Sequence, residues 1–263
     1  MRDLLDKIST KTQKSAIEYI ITQRKQQWSL TVHFLYFANI VRTKLFVAPS
    51  DKNIQQERYR QALLQWDVLL PDGIALQIFY RCANILGKIK SPRPRLVNCN
   101  GTDFTLPLLQ SLRKKYGNKL IVSLYGWTQD VVQKSSIFLK KHKIQSCYIQ
   151  DGYISFDRKK CITQIKKYPK EHYHVLLVWR WTPLQELRIF DNHNHIKEHN
   201  MLALSIGWLF DFWSWLEKRT PKVFRWWAER LWRLFANPRK NAIKVGYSLG
   251  LFWYIIRYLL LKR

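Results

Sequence analysis

The chain has 263 residues, 45 of them lysine or arginine against 18 aspartate or glutamate, which gives a formal net charge of +27. This charge excludes an acidic or neutral surface and predicts a polyanionic partner, either nucleic acid, anionic lipid or a phosphorylated substrate. Twelve Trp, thirteen Tyr and thirteen Phe favour the membrane–water interface among these, because their rings suit a boundary that is apolar on one side and wet on the other.

The cysteines and the start of the chain indicate a reducing compartment. Cys82, Cys99, Cys147 and Cys161 have no C-x-x-C spacing, which argues against a zinc site and against a disulfide framework. We expect four ordinary buried thiols. The first residues are charged and amphipathic where a secretory signal would be apolar, so we expect a cytosolic setting.

The first elements in chain order are a helix and a buried strand. Apolar positions among polar ones predict an amphipathic helix over 11–26, and β-branched and aromatic residues predict a strand over 28–37. Asn39 then follows either as a turn former at the strand end or as an amide facing a ligand. Residues 49–53 are polar and contain proline, which indicates a surface loop before a second helical pattern.

A single carboxylate stands where the next strand breaks into a turn. Residues 66–70 are short and β-prone, and Pro71 and Gly73 prevent a simple continuation around Asp72. In open α/β sheets substrates bind at this rim, so Asp72 is a candidate to take a proton from an attacking hydroxyl. The alternative is an Asx-turn in which the carboxylate caps the following segment.

A second strand–turn–helix pattern follows a predicted helix over 74–86. Residues 96–100 predict a short strand, and Gly101, Thr102 and Asp103 precede a long apolar helix. This order can present backbone N–H groups to a phosphate or a sugar. A turn with Thr102 or Asp103 as the helix cap explains it equally well.

The alternation of strands and helices then becomes regular. Strands are predicted over 119–125, 144–149, 174–179 and 201–206, with helices over 129–141, 158–168 and 183–195 between them. Short turns between alternating strands and helices are typical of a doubly wound sheet. The sequence therefore predicts an α/β, Rossmann-like fold with a mostly parallel sheet flanked by helices.

The last fifth of the chain differs in composition and predicts a basic, aromatic helical appendage. Tryptophans alternate there with arginines and lysines, which suits a helix lying among lipid headgroups. We expect a catalytic domain over 1–212 and a membrane-associating appendage over 213–263. Residues 245–261 are nearly apolar but contain Arg257 and fall short of the ~20 residues of a spanning helix. Dipping into one leaflet is favoured over spanning, with a single span left open.

Short motifs in a fixed order resemble those of the WecG/TagA/CpsF glycosyltransferases. They are Leu70-Pro71-Asp72-Gly73, Gly101-Thr102-Asp103-Phe104, Gly126, Gly152-Tyr153, Thr182-Pro183-Leu184-Gln185-Glu186, Phe210-Asp211-Phe212, Lys218-Arg219-Thr220-Pro221 and Glu229 through Arg233-Leu234 to Pro238-Arg239. The resemblance implies inverting transfer of an N-acetylmannosamine-type or related sugar from a UDP-sugar to a polyprenyl-diphosphate-linked acceptor. It also implies a peripheral enzyme of cell-envelope glycan synthesis on the cytoplasmic face of an anionic membrane.

The resemblance also assigns roles to residues. Asp72 becomes the candidate base, Asn39 matches the Asn of an early Thr-x-Asn element whose Thr is Phe37 here, and Asp211 would face the nucleotide. Gln185 and Glu186 would line the sugar pocket. Further nucleotide-sugar residues would be Gly101, Thr102, Asp103, Gly126 and Tyr153, and diphosphate or membrane contacts would come from Arg219, Arg233, Arg239 and Lys240. No Asp-x-Asp stands in a suitable place, so we expect no metal and no cofactor.

Departures from the family pattern leave a second class of function open. The family has glycines where this chain has the Trp179 to Trp181 stretch and Trp215, and bulky side chains there would narrow or block a pocket. The alternative is therefore a catalytically degenerate, membrane-binding scaffold. Nucleic-acid binding is a third class that the charge permits, but no nucleic-acid module is recognisable, and we expect none. A homo-oligomer is left open.

Overall fold

A computed structural model describes residues 2–26, 29–46, 54–90, 95–169, 171–216 and 250–260. Its centre is one sheet of six strands: β1 Leu30–Tyr36, β2 Val68–Asp72, β3 Leu120–Gly126, β4 Gln145–Gln150, β5 Tyr173–Trp179 and β6 Met201–Ser205. The spatial order is β2-β1-β6-β5-β3-β4, and every neighbouring pair is parallel. The predicted Rossmann-like α/β fold is confirmed.

Helices connect these strands on both faces of the sheet. They are α1 Arg2–Lys7, α2 Gln13–Gln26, α3 Phe37–Arg42, α4 Ile54–Gln65, α5 Ile74–Ile85, α6 Gly101–Tyr116, α7 Gln129–Lys141, α8 Arg158–Ile165, α9 Leu184–Asp191, α10 His193–Glu198 and α11 Leu209–Trp213. The predicted helix over 183–195 is divided into α9 and α10. The short helix α3, which follows β1 directly, was not predicted.

The two faces of the sheet bury separate apolar cores because successive strand side chains point to opposite sides. Val32 and Phe34 of β1 pack with α2, α6, α7 and α11 in the largest cluster. On the other face, Leu35 of β1 packs with α1, α3, α4 and α5 in a second cluster. A third cluster joins Leu176 and Val178 of β5 to α8, α9 and α10.

The strand predicted over 96–100 is wrong. Residues 95–100 have no regular secondary structure and cross the end of β2. Cys99 N–H donates to the Pro71 carbonyl at 2.8 Å, and the Asn98 side-chain oxygen accepts from Gly73 N–H at 2.9 Å. These two bonds hold the segment against the sheet but do not continue as a strand ladder. The apolar residues of the segment, Leu96 and Cys99, are buried and contribute to packing.

All four cysteines are free thiols, as predicted. Cys99 and Cys161 are buried, whereas Cys82 and Cys147 are half-buried. Burial raises the pKa of Cys99 and Cys147 to about 11 and that of Cys161 to about 12. These three thiols therefore stay protonated and unreactive at neutral pH.

The described part of the C-terminal appendage packs against the sheet domain. Segment 250–260 is helical and buries Leu251, Tyr254, Tyr258 and Leu259 in the cluster that contains α3, α4 and α5. No described helix is both long and apolar enough to cross a bilayer. Arg219, Arg233, Arg239 and Lys240 lie outside the described residues, and the boundary at residue 213 stays a prediction.

Candidate active site

The carboxyl edge of the sheet gathers most of the predicted site residues that the structure describes. Asp72 is the last residue of β2, and Asn39 lies in α3, which follows β1. Gln185 and Glu186 lie in α9 after β5, and Asp211 lies in α11 after β6. Because all the strands are parallel, their carboxyl ends share one edge, which is where open α/β sheets bind ligands.

Asp72 is half-buried at a corner that requires glycine next to it. Tyr36 of β1 is its register partner. Gly73 has φ +86°, and a Cβ there would lie 3.0 Å from the Tyr36 ring, so only glycine fits. Gly73 also occupies the N-cap position of α5, where it offers no side chain. The carboxylate of Asp72 therefore precedes the helix and lies at the rim of the sheet.

A chain of hydrogen bonds links the end of β1 to the loop after β5. The Asn39 amide donates to the Thr182 hydroxyl at 3.0 Å, and this hydroxyl donates to Glu186 Oε1 at 3.0 Å. The Gln185 amide donates to the same Glu186 oxygen at 2.8 Å, and the Arg42 guanidinium donates to the Thr182 carbonyl. We call these five residues the buried polar network.

Gln185 extends this network to the end of β6. Its Oε1 accepts from Gly207 N–H at 3.2 Å and from Arg180 N–H at 3.5 Å. Gln185 is buried and Glu186 has no exposed surface. Both side chains lie beneath the carboxyl edge and hold three loops together, and the role in a sugar pocket that the resemblance implied for them stays a prediction.

Burial shifts the pKa values of Glu186 and of a histidine that lies next to it. It raises the pKa of Glu186 to about 7, and hydrogen bonds from Gln185 and Thr182 oppose that shift. Burial lowers the pKa of His33, on β1, to about 3. His33 Nδ1 contacts the Ser205 hydroxyl and lies 3.5 Å from Glu186 Oε1. His33 was missed by the sequence analysis, although a lone histidine inside an apolar strand was a visible signal.

The Gly-Thr-Asp motif begins α6 and is capped by a residue that the sequence analysis did not select. Asn100 is the N-cap, and its side-chain oxygen accepts from Asp103 N–H at 2.8 Å. Its amide donates back to the Asp103 carboxylate at 2.9 Å, which completes a reciprocal cap. Gly101 packs on Phe34, whose ring would lie 3.0 Å from an added Cβ. Thr102 is half-buried in the first turn.

The remaining motif glycines lie where the ends of β3, β4 and β5 meet. Gly126 has φ +154°, and a Cβ there would lie 2.1 Å from the Trp179 carbonyl oxygen. A Cβ on Gly152 would lie 2.8 Å from Gly126 Cα and 2.6 Å from Arg180 Cδ. Close backbone packing therefore explains both glycines. Tyr153 follows with 64% of its surface exposed, facing the same edge.

Three tryptophans that lie where the resemblance implied departures from the family pattern have different environments. Trp179 is buried in the core, and Trp181 is partly exposed with its ring edge-on to Trp208 at 4.7 Å between centroids. Trp215 is 75% exposed and has φ +65°, a left-handed conformation that favours glycine. Asp211 is buried beside this aromatic group, on α11.

One trio of described residues has metal-ligand geometry, but it lies at the opposite edge. Ligand atoms of His195, Glu198 and His199 lie within 4.8 Å of one another just before β6 begins. Burial is the main cause that lowers the pKa of His195 and of His199, and in His199 the Glu198 carboxylate opposes the shift. The trio lies away from the carboxyl edge, so it is not part of the candidate active site, and the expectation of a metal-free reaction stays a prediction.

Two comparisons with known proteins identify the family of this chain. The sequence profile described as "Glycosyl transferase WecG/TagA/CpsF family" matches residues 5–263. A relative from Bacillus spizizenii, named N-acetylglucosaminyldiphosphoundecaprenol N-acetyl-beta-D-mannosaminyltransferase, is 27% identical over 190 residues, covering 71% of this chain and 67% of the relative. The profile spans the whole sheet and every motif at its carboxyl edge, and this chain belongs to the WecG/TagA/CpsF family of glycosyltransferases.

Proposed function

We propose that the protein transfers an N-acetylmannosamine-type or related sugar from a UDP-sugar to a polyprenyl-diphosphate-linked saccharide during cell-envelope polysaccharide synthesis. The observation that carries this proposal is the half-exposed Asp72 at the carboxyl edge, next to the strand that leads into Asn39. The name of the Bacillus spizizenii relative supports the class of acceptor and the class of sugar.

In this mechanism Asp72 acts as the general base. It takes the proton from the acceptor hydroxyl as that oxygen attacks the anomeric carbon of the donor sugar. The bond from that carbon to the diphosphate of UDP breaks on the opposite side, so the configuration inverts and UDP leaves. Asn39, whose amide donates to the Thr182 hydroxyl, is proposed to orient the sugar or the acceptor hydroxyl.

Cationic groups and backbone donors stabilise the departing UDP without a metal ion. Arg219, Arg233, Arg239 and Lys240 are proposed to approach the diphosphate, since guanidinium and ammonium groups offset the charge that develops on a leaving phosphate. Asp211, Tyr153 and the first turn of α6 at Gly101 to Asp103 are proposed to contact the nucleotide. Gly126 permits the close strand packing that shapes this edge.

We propose action at the cytoplasmic face of a membrane, and an exposed apolar surface supports the membrane contact. Ile74, Ile78 and Ile85 on the outer side of α5 are exposed, as are Phe252 and Trp253 of segment 250–260. The two helices contact each other through the cluster they share. Because α5 begins two residues after Asp72, a peripheral membrane contact through this surface would hold the base near lipid-borne acceptors.

A donor screen tests the proposal. Purified protein is incubated with common UDP-sugars and a polyprenyl-diphosphate-linked acceptor, comparing wild type with Asp72→Asn. We expect one donor to give a product with wild type only. Asp130→Asn is the matched control, because Asp130 is an exposed carboxylate paired with Lys134 on α7. Absence of product across all donors from a folded protein would refute the transferase proposal.

The second candidate function is a membrane-binding scaffold without activity. The observation that favours it is the left-handed backbone of the exposed Trp215, a conformation typical of the glycine that the resemblance implies at this position. A scaffold would bind anionic liposomes with equal affinity in wild type and Asp72→Asn, and would form no glycosylated product from any donor.

A further inference from the structure

A groove between α4 and α9 has no role in the mechanism proposed above. Its volume is about 420 Å³, and it opens between the first turn of α4 and the outer side of α9. Three arginines line it together with one acidic residue and apolar side chains: Arg58, Arg180, Arg188, Asp191, Ile54 and Leu184. Three cations and one anion leave the groove with an excess of positive charge.

Among the described residues, only one of the three guanidiniums has a carboxylate partner, and Arg188 hydrogen-bonds the Tyr125 side chain. Arg58 forms an ion pair with Asp191 at 2.5 Å. Within the described residues, no carboxylate lies within ion-pair distance of Arg180 or Arg188. The groove therefore presents positive charge that the described part of the protein itself does not neutralise.

Aromatic rings hold these two guanidiniums in place. The Arg180 guanidinium lies over the Tyr153 ring, 5.4 Å from its centroid, and the Arg188 guanidinium lies 5.9 Å from the Tyr125 centroid. Both arginines are half-buried. Guanidiniums fixed in this way lose little side-chain entropy when they bind an anion, and their planar donor pairs match phosphate oxygens.

The groove meets the candidate active site at Arg180. The Arg180 backbone N–H donates to Gln185, and the Arg180 side chain packs so closely on Gly152 that a Cβ there would lie 2.6 Å from its Cδ. Exposed Ile54 and Leu184 at the groove add apolar surface beside the charge. A ligand held here would have its anionic group beside the guanidiniums and its remainder against apolar side chains.

We propose that the α4–α9 groove binds a diphosphate group of a substrate through Arg180 and Arg188. This inference rests on the proposed function and deepens it, because both the UDP-sugar and the polyprenyl-linked acceptor carry a diphosphate. The groove is large enough for a diphosphate with part of the group attached to it.

Binding of inorganic diphosphate to the full-length protein, measured by calorimetry, tests the site directly. We expect Arg180→Ala and Arg188→Ala each to weaken binding at least about tenfold, as the loss of one charge-assisted hydrogen bond predicts. Arg180→Lys should recover part of the affinity, because it keeps the charge and loses the planar fork. The matched control is Arg113→Ala, which removes a half-buried arginine of α6 whose guanidinium donates to the Asn118 side chain.

The result that overturns the proposal is equal weakening by Arg113→Ala, which would show an effect of net charge only, or unchanged binding in both groove variants. Circular dichroism of each variant confirms that the fold is retained. The measurement needs no turnover, so it stays interpretable if the donor screen yields no product.

Two further titrations identify which substrate supplies the diphosphate. One uses UDP, and the other uses a polyprenyl diphosphate in phosphatidylcholine vesicles. Weaker UDP binding by Arg180→Ala and Arg188→Ala assigns the groove to the donor, and weaker vesicle binding assigns it to the acceptor. If neither titration changes in the two variants, the groove does not bind a substrate diphosphate.

Discussion

Asp72 and Glu186 are two carboxyl groups at the same edge of the sheet, in opposite environments. Asp72 ends the edge strand β2 and is half-exposed, whereas Glu186 has no exposed surface and accepts hydrogen bonds from Thr182 and Gln185. Both stand in equally short motifs. Their burial separates them, because a base must reach the substrate and a fully buried carboxyl acts only through its neighbours.

Rate measurements on two isosteric variants give the largest expected effect. Asp72→Asn should lower kcat by roughly 10² to 10⁴-fold, since the amide cannot accept the proton. Glu186→Gln should keep kcat within about tenfold, because it retains an oxygen that accepts from Thr182 and Gln185. Steady-state kinetics with the donor found in the screen provide the test. A larger loss for Glu186→Gln than for Asp72→Asn would reverse the assignment of roles.

In unfolding experiments, the loss of stability on removing Glu186 should exceed the loss on removing Asp72. Glu186→Ala should lower the free energy of unfolding by about 2 to 4 kcal/mol, because it leaves the Thr182 hydroxyl and the Gln185 amide without their acceptor and opens a cavity. Asp72→Ala removes a half-exposed side chain and should cost less than about 1 kcal/mol. Urea titrations measure both values. Equal losses would contradict the contrast in burial.

The pH dependence of stability sharpens the comparison, because Glu186 and His33 oppose each other. The raised pKa of Glu186 gives stability that is lost as pH rises from 4.5 to about 7, and the lowered pKa of His33 gives stability that is lost as pH falls from 6.5 to about 3. Their contributions offset each other between pH 4.5 and 6.5.

Removing either group should therefore make the pH dependence caused by the other group measurable. In Glu186→Gln, stability relative to wild type should increase as pH rises from 4.5 to 7, by a total on the order of 3 kcal/mol. In His33→Asn, the decline caused by Glu186 should become visible over the same range. Urea unfolding at several pH values measures both differences. Parallel profiles for wild type and Glu186→Gln would show that Glu186 is not protonated in the folded state near pH 6.

Trp215→Gly is the smallest expected effect and tests the exposed side of this edge. Trp215 has a left-handed backbone and little burial, so glycine should raise the free energy of unfolding by up to about 1 kcal/mol. Trp181→Gly is the control, because Trp181 has no positive φ and packs against Trp208, and it should lower stability. A thermal shift in the same direction for both variants would contradict the role assigned to backbone strain.

Local patterns predicted most of the fold, because the strands are continuous apolar runs between clear turns. The corner at Asp72 was predicted only in part. Gly73, with φ +86°, ends the strand as expected, but β2 continues through Pro71 to Asp72, where we expected Pro71 to interrupt it. The run at 96–100 was also predicted to be a strand from its local composition. No local signal shows that it meets β2 through one backbone hydrogen bond to Pro71.

The buried polar network was beyond the sequence because its members come from distant parts of the chain. Asn39 follows β1, whereas Thr182, Gln185 and Glu186 follow β5, and they meet only because both strands end at the same edge of the sheet. Gly126 shows the same limit, because its motif suggested a ligand and its neighbour proves to be the Trp179 carbonyl. The motifs predicted candidate residues, and the structure shows which of them are buried and what each one contacts.

The hydrogen bonds from Asn39 through Thr182 and Gln185 to Gly207 join three loops into one firm floor. Residues above that floor, such as Tyr153 and Trp215, are exposed and take no part in these hydrogen bonds. Such an arrangement lets the upper residues diverge at small folding cost. Under the proposed function, sugar preference can change through substitutions at these exposed positions while the hydrogen-bonded residues beneath them stay the same.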